Sequence, residues 1–204
     1  MGECCDKGSE LEKLRERQSG TLKIVLAINA VMFLVIVAAA LYAGSSALLA
    51  DSLDNLGDAL TYGLSLWAVG LGLRIKARIA YFKGLLILLA ALAVLGQIVY
   101  RLADPTVPLF EVMGIFSLIA LTANGACLAL LWRHKTEDIN MSSVWECSRN
   151  DIVANISVFV AAAGVWATES RWPDLLVASF LVIFLLRSAI RVLVSAHAEL
   201  RRHT

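Results

Sequence analysis

Hydrophobic and polar residues fall along this chain in long blocks rather than at short periods. Four stretches, 24–50, 84–100, 112–132 and 152–168, contain no charged residue. A fifth, 175–194, is interrupted only by Arg187 and Arg191 near its end, where long basic side chains can carry their charge out to an interface. A sixth, about 47–73, overlaps the end of the first block and carries Asp51, Asp54 and Asp58 in its first half. A helix needs about 20 mainly apolar residues to cross ~30 Å of hydrocarbon. The pattern therefore predicts six spans: 21–43, 47–73, 80–102, 109–132, 143–169 and 174–198. Punctuation between them agrees. Asp104-Pro105 and Pro108 mark one connection, and Trp172-Pro173-Asp174 marks another, with Pro173 suited to a first helical turn.

Composition turns this pattern into a fold class. The chain of 204 residues is 59% hydrophobic and 17% charged, with mean hydropathy +0.73. A soluble domain is about 45–50% apolar and about 25% charged. Disordered, collagen-like and small secreted classes are excluded, and an all-α integral membrane protein with six transmembrane helices is expected. Eighteen basic and 17 acidic residues give a net charge of +1, so no field favours nucleic acid as a partner. Cys4, Cys5, Cys127 and Cys147 lack the spacing of a disulfide framework or a zinc knuckle.

Basic residues predict the orientation. Lys7, Lys13, Arg15 and Arg17 precede the first span, and Lys23 stands at its very start. Arg74, Lys76, Arg78 and Lys83 follow the second, Arg133 and Lys135 the fourth, and Arg201 and Arg202 the sixth. The opposite side offers only Arg101 and Arg171. Both termini are thus expected in the cytoplasm, with Tyr42, Tyr100, Trp132 and Trp172 as interfacial anchors. The divisions expected are a charged cytosolic segment 1–20, a membrane domain 21–198 and a short tail 199–204, with no soluble domain. The charged start argues against a cleavable signal peptide. Ser9-Glu10-Leu11-Glu12 has the capping-box pattern and predicts a short cytosolic helix ending near Gly20.

Three carboxylates in one span are costly, about 2.5–3.5 kcal/mol for an aspartate at the helix centre. Asp51, Asp54 and Asp58 are three and four residues apart, so they share one face. Asn55 borders that stripe and Tyr62 continues it. The fifth span carries a counterpart, Cys147 and Asp151 at i,i+4 with Asn155 extending the row and Glu146 beside it. If the two faces meet, Asp54, Asp58, Cys147 and Asp151 offer three carboxylates and one thiolate. Such a set suits a tetrahedral divalent ion such as zinc, and the sulfur turns it away from Mg²⁺ and Ca²⁺. Plainer roles stay open: vestibule solvation for the aspartates, a helix-start or gate role for Asp51, and packing for Cys147. Cys127 is expected to pack. Cys4-Cys5 does not close a site alone, and His134, His197 and His203 are most simply solvated.

The run Ser45-Ser-Ala-Leu-Leu-Ala-Asp-Ser-Leu-Asp54-Asn-Leu-Gly-Asp58 resembles the second span of the cation diffusion facilitators. Cys147-Ser-Arg-Asn-Asp151, then Asn155 and Trp172-Pro173-Asp174, is similar to that family's fifth and sixth spans, and Asn124 matches its span-4 asparagine. The resemblance covers roughly residues 20–200. It implies a homodimeric, multi-pass exporter in a bacterial inner membrane that moves Zn²⁺, Cd²⁺ or a similar ion out of the cytoplasm in exchange for protons. No prosthetic group is implied; the metal is cargo and membrane lipid the surroundings. By the same resemblance Asp54, Asp58, Cys147 and Asp151 form the transport site, with Asp51, Asn55, Glu146 and Asn155 as accessory or gate residues. This chain departs from the family pattern in three ways. A short form without the family's cytosolic C-terminal domain is expected, the usual histidines are Asp54 and Cys147, and no histidine-rich loop joins spans 4 and 5. The competing reading is an enzyme, a Mg²⁺-dependent intramembrane prenyltransferase or phosphatidyltransferase. Ala50 in place of an expected asparagine, too few spans for the former and no Asp-Gly-x-x-Ala-Arg opening for the latter speak against it.

Overall fold

Six helices account for all the regular structure among the described residues: α1 (Glu3–Ala43), α2 (Ser46–Trp67), α3 (Leu73–Ala103), α4 (Phe110–Trp132), α5 (Ile139–Thr168) and α6 (Trp172–Arg202). They come from a computed structural model that describes the backbone of residues 3–67, 73–104, 106–132 and 139–202. The side chains of 3–19, 64, 65, 67, 73, 74, 76, 139–149 and 202 lie outside that description. All six expected helices are present. Five are long and apolar enough to cross a membrane: Gly20–Ala43, Ala77–Ala103, Phe110–Trp132, Asn150–Thr168 and Trp172–Arg201. The chain is an integral membrane protein, all-helical in the regular structure of its described residues. The helix outside those five is α2, whose described part carries Asp51, Asp54 and Asp58.

The N-terminal expectation needs correction. No separate cytosolic helix begins at Ser9 and ends near Gly20; α1 is already helical at Glu3 and runs unbroken to Ala43. A glycine inside a helix costs only ~1 kcal/mol. The continuous apolar face that follows Gly20 carries the helix through it.

The helices are arranged around α2, which packs against α1, α3, α5 and α6. Helix α4 lies between α1 and α5, and α3 pairs with α6. Between lipid-immersed helices close packing replaces a hydrophobic drive, so small residues belong at the contacts. Ala39, Ala40, Ala43, Ala47 and Ala50 are buried in the main core along α1 and α2. Gly84 does the same for α3 against α6: a Cβ there would come within 2.9 Å of Leu193 Cγ. Large apolar side chains face outward instead, among them Leu34, Leu41, Val99, Leu176 and Phe180. This outside suits acyl chains. Tyr42, Tyr100, Trp132 and Trp172 are exposed near helix ends, as interfacial anchors would be.

One end of the bundle is tied together by polar contacts, and we call it the turn end. Gly44, at φ 66°, turns α1 into α2; a side chain there would be strained and would strike the Arg101 guanidinium. Ser45 caps α2 by accepting from Leu48 N at 3.0 Å. Asp174, in the first turn of α6, reaches across to the same helix start. Its Oδ1 accepts from Ser45 Oγ at 2.6 Å and Ala47 N at 3.0 Å, and its Oδ2 from Ser46 N at 2.9 Å. Leu109 N donates to Ala43 O at 3.0 Å. Arg171 donates to the Leu102 and Asp104 carbonyls. Four helix ends and two connections are thereby joined.

Candidate functional site

Helix α2 runs from the turn end into the bundle and carries its carboxylates down one face. Asp51 is 1% exposed and Asp58 9%, while Asp54 is half-buried. Facing them on α5 is Asp151, 7% exposed. The Asp58 and Asp151 carboxyl groups meet across the α2–α5 contact at hydrogen-bonding reach, with Asp51 and Asp54 within electrostatic range of Asp151. The two polar faces therefore approach each other at Asp58 and Asp151.

What surrounds these groups is under-supplied with partners. Asp51 Oδ2 and Asp151 Oδ2 are buried without a hydrogen bond. Asn55 donates to the Asp51 carbonyl at 3.3 Å, leaving its own Oδ1 unpaired. Asn155, fully buried on α5, has neither amide atom paired, and Asn124 Oδ1 on α4 is also alone. Each unsatisfied buried group costs about 1–3 kcal/mol. Buried oxygens without hydrogen-bond partners thus occur on α2, α4 and α5.

Asp51 starts no helix. The α2 N-terminus belongs to Ser45 and Asp174, and Asp51 lies beyond the first turn. Cys147 and Glu146 are on α5, one turn before Asp151, but their side chains lie outside the described residues. Cys4 and Cys5 on α1, and His134 and His203, lie outside them as well. Among the described residues no three histidine, cysteine, aspartate or glutamate side chains are gathered closely enough to hold a metal ion. His197, Arg187 and Arg191 are exposed on α6.

Three features escaped the sequence. Tyr62, expected only to continue the stripe, donates its hydroxyl to Asp58 Oδ2. Lys83, expected in a connection, stands inside α3, donates to Thr61 Oγ1 and acts electrostatically on Asp58. A lysine opening an otherwise apolar run was the available signal. Asn29, on α1, donates to Val25 O at 2.9 Å and lies 4.0 Å from Cys127 Sγ. A lone asparagine within the charge-free stretch 24–50 was its trace.

With this geometry in place, comparison with known families is decisive. The family model for the cation efflux transmembrane domain matches residues 22–200. The chain belongs to the cation efflux family. No curated protein matches it. The matched segment covers all six helices apart from the first part of α1 and the last residues of α6. A cation efflux domain is a metal-cation transporter embedded in a membrane, so the match is to transporters and not to aspartate-motif enzymes.

Proposed function

We propose that this protein exports a divalent transition-metal ion of the Zn²⁺ or Cd²⁺ kind in exchange for protons. The ion is held by Asp54 and Asp58 of α2 with Cys147 and Asp151 of α5, while Asp51, Asn55, Glu146 and Asn155 line its way. What carries the reading is the Asp58–Asp151 contact inside the bundle, flanked by buried oxygens that lack partners. Burying acidic groups among apolar helices without compensation is expensive. A divalent ion supplies the compensation.

Exchange follows from the chemistry of the ligands. Carboxylates and a thiol bind metal only after losing their protons. One site therefore carries either protons or an ion, not both. Net export results when the bundle alternates between openings, loading metal on the cytoplasmic side and protons on the other. We take α2 as a sixth span, both termini as cytoplasmic, and the working unit as a homodimer in a bacterial inner membrane. One thiolate among three carboxylates makes the site softer than an all-oxygen one, which favours Cd²⁺ alongside Zn²⁺. The test is ion flux in proteoliposomes. Wild type moves Zn²⁺ or Cd²⁺ in a manner driven by an imposed pH gradient, and Asp58→Ala and Asp151→Ala do not. Wild-type flux in both variants would refute the site.

A further inference from the structure

Lys83 lies within Ala77–Ala103, one of the five segments long and apolar enough to cross a membrane, and it is half-buried. A lysine in such a segment either reaches out to an interface or turns inward to partners, where it marks an ion pathway. Lys83 turns inward. Its Nζ donates to Thr61 Oγ1 on α2, and the Thr61 hydroxyl donates its own proton to Gly57 O at 2.7 Å. The lone pairs of that hydroxyl are thus left for the ammonium. The helices are close here. Ile87, one turn after Lys83, comes 3.8 Å from where a Cβ on Gly57 would stand. Gly84, next to Lys83, faces α6 with no room for a side chain, so this stretch of α3 is held on both α2 and α6.

Thr61 brings the ammonium beside the acids. Thr61 and Tyr62 follow Asp58 by three and four residues, so the three share one face of α2. Tyr62 donates to Asp58 Oδ2 on that face. The Lys83 ammonium therefore stands about one helical turn from Asp58. Helix α2 enters from the turn end, so this is the side of Asp58 away from that end. With both termini cytoplasmic, it is the side from which cargo arrives.

We propose that Lys83 is a tethered counter-cation of the transport site, standing in its cytoplasmic approach while the site is empty and giving way when a divalent ion loads. The proposal rests on Asp54, Asp58, Cys147 and Asp151 being that site. A charged ammonium has three donors and no acceptor, so it cannot ligate the ion. It acts through its charge. In the empty site that charge offsets part of the repulsion among neighbouring carboxylates; in the loaded site it opposes the ion. Transport needs binding strong enough for entry and weak enough for exit, and Lys83 sets that balance without touching the cargo.

Calorimetric titration of the intact chain in micelles with Zn²⁺ tests this. Lys83→Leu is expected to bind Zn²⁺ about tenfold more tightly than wild type, since an opposing charge is gone. Lys83→Arg keeps the charge and is expected to match wild type. A lysine that serves only packing or solubility gives no gain in affinity when removed. Unchanged or weaker Zn²⁺ binding in Lys83→Leu overturns the proposal, as does an equal gain in Lys83→Arg. A second measurement needs no variant. Labelling of Lys83 by an amine-reactive reagent, read by mass spectrometry, is expected to rise several-fold when Zn²⁺ loads, because the ammonium leaves Thr61 for the cytoplasmic water. Labelling indifferent to Zn²⁺ also overturns the proposal. The two levels fail separately. Wild-type Zn²⁺ affinity in Asp58→Ala and Asp151→Ala would remove the transport site itself. Loss of binding in both, with no gain in Lys83→Leu, would remove the role of Lys83 alone.

Discussion

Asp174 and Asp151 are buried to a similar degree, 2% and 7% exposed, yet their surroundings are opposite. Asp174 accepts from Ser45 Oγ, Ser46 N and Ala47 N, so both its oxygens are occupied. Asp151 keeps an oxygen with no partner and faces Asp58, another carboxylate. The first arrangement resolves the cost of burying an acid within the protein itself. Hydrogen bonds to a charged group are worth about 1.5–3 kcal/mol each, so Asp174 anchors α6 to the start of α2. The second leaves the cost standing. A protein keeps such an unsatisfied site where function needs it, and under the proposed function the missing partner is a metal cation.

The contrast can be broken most severely at the interior pair. Asp58→Ala and Asp151→Ala are expected to reduce metal flux by more than ~100-fold, beyond the 10–100-fold that outer-shell partners typically supply. Asp151→Asn is expected to lose flux equally while keeping stability unchanged or raising it by about 1 kcal/mol, a stability–activity trade-off. Proteoliposome flux read beside denaturation in micelles checks both halves. A large stability loss in Asp151→Asn would make that residue another Asp174.

Asp174 itself should respond the other way. Asp174→Ala strands the Ser46 and Ala47 amides and is expected to cost about 2 kcal/mol of stability. In Asp174→Asn the side-chain carbonyl still accepts, so less than half of that loss is expected. Unfolding midpoints of the two variants in one detergent measure the difference.

Cys147→His sharpens the ligand set rather than the contrast in burial. Replacing sulfur by imidazole is expected to shift the Zn²⁺/Cd²⁺ flux ratio about tenfold towards Zn²⁺, since soft ions lose their preferred donor. An unchanged ratio would take sulfur out of the site. The smallest effect belongs to the turn end. Gly44→Ala must hold a side chain at φ 66° beside Arg101, and a loss of about 1 kcal/mol with flux retained is expected.

Much of this was readable before any coordinates. Charge-free runs announced the helices because hydrocarbon tolerates little else. The stripe of Asp51, Asp54 and Asp58, and the i,i+4 pair Cys147 and Asp151, marked a candidate site because helical spacing places each set on one face; the structure brings Asp58 to Asp151, while the Cys147 side chain lies outside the described residues. Contacts between distant segments were not readable. Trp172-Pro173-Asp174 identifies a helix start, but nothing local says that Asp174 caps another helix. Lys83 was counted as a loop charge, whereas α3 begins at Leu73 and carries it inside. Asn29 and Cys127 are 98 positions apart and meet only when α1 packs on α4. The helix boundary missed at Gly20 has a different cause. A weak local stop was overridden by the apolar run beyond it.

Metal X-ray absorption on the Cd²⁺-loaded protein examines the interior pair most directly. A mixed oxygen and sulfur shell is predicted for the wild type, and loss of that shell in both Asp58→Asn and Asp151→Asn. The same spectrum in all three proteins would mean that the ion binds elsewhere, and that the α2–α5 carboxylates do not hold it.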